Sequence, residues 1–145
     1  MLFVLMTISG ERYGVESSAV VEVVPAIELT ASYLGSSPVI SGELNYHGER
    51  VPVLDGGRLL EGKTSPYSLS TRIVILSFVK EETRYYFGLL AEEMTETVRL
   101  DIADSSHDAI LNPVNSKLEL DSAQAIDRGF RILNPYYLQN AAYGA

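Results

Sequence analysis

The chain has 145 residues, 46% of them hydrophobic, which is enough for about one domain with its own core. A formal net charge of −8 and the lack of Lys/Arg clusters disfavour nucleic acid and anionic membrane surfaces as ligands. The absence of cysteine excludes disulfides, thiolate zinc sites and cysteine nucleophiles, and it suits a reducing compartment.

The first half of the chain has the pattern of short strands separated by turns. The apolar run at residues 2–8 predicts a strand, because it has no basic flank and is too short for a signal peptide or a membrane span. Residues 16–24 predict one or two helical turns, which their β-branched side chains weaken. A further helical turn is predicted at 39–44, a tight turn at 45–48 and a helical turn at 58–60.

The second half begins with a hairpin signal. Two β-rich segments, 72–79 and 84–90, flank the charged loop 80–83. Residues 91–97 predict a short acidic helix, and short strands follow before Pro135, which fits the first position of a helix. About ten short strands without a long helix predict an all-β barrel or sandwich.

Candidate catalytic and metal-binding groups are few. The only histidines are His47 and His107, and His107 lies beside Ser105, Ser106 and Asp108 in one polar loop. Neighbours in one loop do not easily form a catalytic triad, and the carboxylates lack metal-ligand spacing. One alternative function is nevertheless a small hydrolytic or metal-dependent enzyme using His47, Asp55 and His107. Another is a ligand-binding β-barrel for carbohydrate or nucleic acid, which needs exposed aromatic or basic residues.

A resemblance to a known family rests on residues 42–60. The segments GELNYHG at 42–48, VPVLD at 51–55 and RLL at 58–60 resemble the central signature of the CheW-like coupling proteins of bacterial chemotaxis. The order of the flanking segments is also similar, so that the resemblance covers about residues 1–138.

The resemblance implies an all-β fold with short helices, arranged as two small five-stranded SH3-like β-barrel subdomains. One CheW-like domain would span 1–140. Its first subdomain would be residues 10–68, its second 1–9 plus 69–140, and 141–145 would be a tail.

The resemblance also implies a non-catalytic cytoplasmic adaptor, recruited to membrane receptor arrays. Its partners would be the regulatory domain of a CheA-type histidine kinase and the cytoplasmic tip of a methyl-accepting chemoreceptor, with no cofactor, metal, nucleic acid or membrane insertion. Val20, Glu22 and Val23 would lie on the partner-binding side of the first barrel. His47 would stand where the family has a receptor-contacting arginine. The groove between the barrels would be lined by Gly88, Met94 and Thr97.

Overall fold

The structure is a computed structural model that describes residues 1–26, 29, 37–101 and 117–144. These residues form ten strands: β1 Leu2–Ile8, β2 Glu11–Glu16, β3 Val20–Pro25, β4 Ile40–Tyr46, β5 Glu49–Asp55, β6 Arg72–Lys80, β7 Thr83–Ala91, β8 Glu93–Arg99, β9 Glu119–Leu120 and β10 Arg131–Leu133. The helices of the same residues are short: a 3-10 turn at Ser17–Ala19, α1 Gly56–Glu61, α2 Ala123–Asp127 and α3 Pro135–Tyr143. The predicted all-β class with short helices is confirmed.

The strands are divided between two five-stranded sheets. The first sheet has the order β8-β1-β2-β10-β9 and the second has the order β3-β6-β7-β5-β4. Most neighbouring strands are antiparallel, but β10 runs parallel to β2, and β5 runs parallel to β7. The two sheets correspond to the two small β subdomains that were predicted.

The predicted subdomain boundaries need correction. Residues 10–68 were expected in one barrel, and 1–9 with 69–140 in the other. Instead, β2 belongs to the first sheet and β6 and β7 belong to the second. The reason is the tight turn at Ser9 and Gly10, whose φ angles of 51° and 78° keep β2 beside β1. In the same way the β6–β7 hairpin stays intact and pairs with β3 on one side and β5 on the other.

Three clusters of buried side chains hold the sheets together. One lies within the first sheet and includes Phe3 and Leu5, and another lies within the second and includes Ile73 and Ile75. The largest cluster joins the two sheets and takes the alternate residues of the same strands, among them Met6 from β1. Strands with a core on each face need apolar residues at nearly every position, which explains the continuous apolar runs at 2–8 and 72–79.

Several predicted helical turns are strands. The segment after the 3-10 turn is β3, the segment at 40–46 is β4, and most of 91–97 lies in β8. The β-branched content that weakens a helix at 20–24 favours an extended strand instead. At the C-terminus, the predicted tail at 141–145 is wrong for residues 141–143, because α3 runs to Tyr143 and Ala142 is buried.

Candidate partner-binding surface

The β4–β5 turn places His47 at an exposed tip. His47 and Gly48 both adopt left-handed backbone angles, with φ of 51° and 85°, as a two-residue hairpin turn of this kind requires. The Asn45 side-chain oxygen accepts a hydrogen bond from the Gly48 N–H at 3.0 Å, which fixes the turn. The predicted tight turn at 45–48 is therefore confirmed, and the His47 side chain is 77% exposed.

Glu22 on β3 lies beside this turn. The Tyr46 hydroxyl donates a hydrogen bond to Glu22 Oε1 at 2.5 Å, and His47 Nε2 lies 3.8 Å from the same oxygen. The Tyr46 and His47 rings meet edge to face with centroids 4.4 Å apart. Their association brings together two residues, Glu22 and His47, that lie 25 positions apart in the sequence.

The hydrogen bond to Glu22 alters the acidity of Tyr46. That bond, with smaller effects of burial and of the Glu22 charge, raises the pKa of Tyr46 to about 12. Tyr46 is therefore a neutral donor at physiological pH and holds the Glu22 carboxylate in one place. Sequence reasoning did not single out Tyr46 for this surface, and its only signal was its place next to the turn.

Two exposed valines flank Glu22 on β3. Val21 is 43% exposed and Val23 is 37% exposed. A β-bulge between Val20 and Glu22 interrupts the pairing of β3 with β6, and such bulges re-aim side chains. Within the described part of the chain, β3 is also an end strand of the second sheet. We call Val21, Glu22, Val23, Tyr46 and His47 the β3–turn surface.

Three other predicted partner-binding residues, Val20, Met94 and Thr97, lie outside the β3–turn surface. Val20 is half-buried and packs against the cluster between the sheets. Met94 is half-buried and Thr97 is exposed, and both lie on β8, at the edge of the first sheet. The structure therefore places Met94 and Thr97 apart from β3 and its neighbouring turn.

Gly88 is a packing residue rather than a groove residue. It is buried in the middle of β7, between Ile75 of β6 and Val53 of β5. A Cβ at this position would come within 2.8 Å of the Ile73 side chain, inside the core of the second sheet. The absence of a side chain is thus explained by close packing, and we leave Gly88 out of the candidate surface.

A cavity does lie between the two sheets, with a volume of about 370 Å³. Its walls combine apolar side chains of both sheets, among them Phe3, Phe87 and Leu133, with polar groups such as Glu16 and Gln139. Gly88, Met94 and Thr97, which were expected to line an inter-barrel groove, are not among its lining residues.

The alternative catalytic site does not assemble from the residues that the structure describes. Asp55 is fully buried, and its carboxylate accepts hydrogen bonds from Arg58 N–H and from the N–H and hydroxyl of Ser65. His47 lies beyond the other end of β5, roughly 20 Å away at strand spacing. His107, with its neighbours in the polar loop, lies outside the described residues.

Two further findings concern metals and membranes. No group of three or more His, Asp or Glu side chains in the described ranges is placed to hold a metal ion. None of the described helices is long and apolar enough to cross a membrane.

Comparison with known proteins gives a family match and a similar solved structure. The family model of the CheW-like domain matches residues 2–118. The crystal structure of the scaffolding protein TtCheW from Thermoanaerobacter tengcongensis is similar, with a TM-score of 0.71 and 19% sequence identity. The alignment covers 94% of this chain and 86% of that chain, and at such low identity the likeness shows the fold alone. No curated protein matches the chain.

Proposed function

Because the chain belongs to the CheW-like domain family, we propose that it is a non-catalytic adaptor that couples chemoreceptor-type sensors to a CheA-type histidine kinase. The observation that carries the proposal is the match over residues 2–118. The exposed side chains of Glu22, Val23 and His47, where the resemblance implies partner contacts, support it. The similar solved protein is itself named a scaffolding protein, which agrees with this role. The protein would act in the cytoplasm, where receptor arrays recruit it.

The β3–turn surface has the features of a protein-binding site. Exposed valines supply apolar contact area along the edge strand β3, and the Glu22 carboxylate, held by Tyr46 on the face of the strand opposite to Val23, supplies one positioned polar group. An apolar patch with a fixed polar group provides both affinity and register to an interface.

The kinase and receptor contacts would adjoin. The resemblance assigns Glu22 and Val23 to the partner-binding side of the first barrel and His47 to the receptor contact. Since His47 lies 3.8 Å from Glu22, a partner bound at either side chain would alter the surroundings of the other. Such proximity suits an adaptor whose two partners respond to one another. Met94 and Thr97 remain predicted contacts on β8.

Calorimetry with the regulatory domain of a cognate CheA-type kinase tests the proposal. We expect a dissociation constant on the order of 1–10 μM, because adaptor contacts of modest size give affinities of this order. Val23→Asp should weaken binding at least about tenfold, because it places a charge in the apolar contact. Val79→Asp is the matched control, since Val79 is 58% exposed on a different strand, and it should change binding less than about twofold. The absence of binding heat with the wild-type chain would reject the proposal.

The receptor contact has its own test. His47→Arg supplies a planar, permanently charged donor group where the histidine has an imidazole. We expect the variant to retain more of a chemoreceptor cytoplasmic tip in a pull-down than the wild-type chain retains. Equal or weaker retention would contradict a receptor contact at residue 47.

A further inference from the structure

A second pocket lies at the tip of the β6–β7 hairpin. It has a volume of about 360 Å³ and lies between the hairpin tip and the C-terminal end of α3. Its walls include three aromatic rings, a carboxylate and two amide side chains: Phe78, Tyr85, Tyr143, Glu81, Gln139 and Asn140. Nothing in the proposed adaptor function uses these side chains.

The three rings form one aromatic wall. Phe78 and Tyr85 stack with centroids 5.3 Å apart, and Tyr143 meets them edge to face at 5.8 Å and 5.5 Å. The Tyr143 hydroxyl donates a hydrogen bond to the Tyr86 carbonyl oxygen, which anchors the end of α3 to β7. Tyr85 and Tyr143 are nevertheless partly exposed, so the wall is both rigid and open to a ligand.

The electrostatics of the pocket favour a cation. The C-terminal end of a helix carries partial negative charge, and α3 has no basic residue in its last turn to balance it. Glu81 adds a carboxylate at the wall. Burial, and secondarily the negative charge of Glu49, raises the pKa of Tyr143 to about 12, so its ring stays neutral. Lys80 also lines the pocket, and its side chain is exposed on the hairpin.

We propose that this pocket receives an arginine side chain from a segment of a partner protein. A guanidinium group can stack on an aromatic face while it donates hydrogen bonds to Glu81 and to the amide oxygens of Gln139 and Asn140. Lysine has no planar group to stack and offers a single point charge. A free amino acid would also bring its α-carboxylate toward Glu81, in a chain of net charge −8, which favours an arginine within a peptide segment. The site shares no residue with the β3–turn surface and does not depend on the adaptor proposal.

Nuclear magnetic resonance titration of the full chain tests this site. The probe is the peptide N-acetyl-Val-Arg-Val-amide, compared with the same peptide carrying lysine or norleucine and with free L-arginine. We expect saturable shifts at Tyr85, Tyr143 and Gly144 with the arginine peptide, with a dissociation constant on the order of 1 mM. The lysine peptide and free arginine should bind several-fold more weakly, and the norleucine peptide should give no saturable shift.

Substitutions in the pocket test which side chains contact the arginine peptide. Glu81→Gln and Tyr85→Leu should each weaken arginine-peptide binding about fivefold, because they remove the carboxylate and one stacking face. Lys80→Met should strengthen it by removing the competing cation. Glu93→Gln, an equal change of charge on β8, should leave it unchanged. Equal binding of the norleucine peptide, or of free arginine, would overturn the proposal, as would the absence of saturable shifts in the wild-type chain. Because these ligand comparisons use the wild-type chain, a poorly folded variant does not leave the proposal untested.

Discussion

Replacement of Gly48 by valine probes the turn that presents His47. Gly48 has a φ of 85°, where a side chain is disfavoured, but a Cβ there would meet no atom within 4 Å. The cost of Gly48→Val is therefore backbone strain alone, about 1–3 kcal/mol, with no contribution from a steric clash. For a chain of this length each kcal/mol corresponds to about 3–4 °C in Tm, so a loss of about 1–3 kcal/mol should lower the Tm by about 3–12 °C.

Thermal unfolding followed by circular dichroism measures that shift, and His47→Asn provides the matched control. His47 has a φ of 51°, and asparagine adopts left-handed angles more readily than most residues. The control should therefore melt at the wild-type temperature or above it. A Gly48→Val melt within about 1 °C of wild type would show that strain at this turn does not contribute to stability.

Three further predictions follow from buried or hydrogen-bonded groups. Asp55→Asn should lower the free energy of unfolding by about 2–4 kcal/mol in urea titrations, because an amide cannot accept all the hydrogen bonds that Ser65 donates to the carboxylate. Gly88→Ala should lower it by about 1–3 kcal/mol, because the added Cβ overlaps a core isoleucine, and an unchanged midpoint would restore a groove role. Tyr46 should ionise near pH 12 in an ultraviolet titration, and Glu22→Gln should move that value toward 10.0. Since the folded pKa is raised, its stabilising contribution is complete below pH 10 and is lost as the pH rises toward 12.

The sequence predicts the fold class because the turn and loop residues that separate its strands are recognisable from short local segments. The turn at His47 and Gly48 and the charged hairpin loop at Glu81 and Glu82 lie between β-rich segments, and the structure has a hairpin at each place. The distribution of strands between the sheets was less accessible. It depends on the parallel pairs β2–β10 and β5–β7, whose partners are distant in sequence and leave no periodic signal.

The candidate surface was predicted only in part. Glu22, Val23 and His47 came from the family resemblance, and the structure brings Glu22 and His47 together. Val21 and Tyr46 were missed. The predicted helical turns at 16–24 gave no reason to single out Val21, which the strand with its bulge exposes. For Gly88 the structure offers a packing reason that the sequence could not show, since a glycine required by close packing looks the same in a sequence as a glycine that lines a groove.

The most direct test of the proposed adaptor role is to map where a kinase regulatory domain binds this chain. Amide hydrogen exchange of the full chain, with and without a cognate CheA-type regulatory domain, reports protection along the backbone. We expect added protection at β3, around Val21–Val23, and at the adjoining β4–β5 turn. Protection confined to other strands, with exchange at β3 and the turn unchanged, would contradict it.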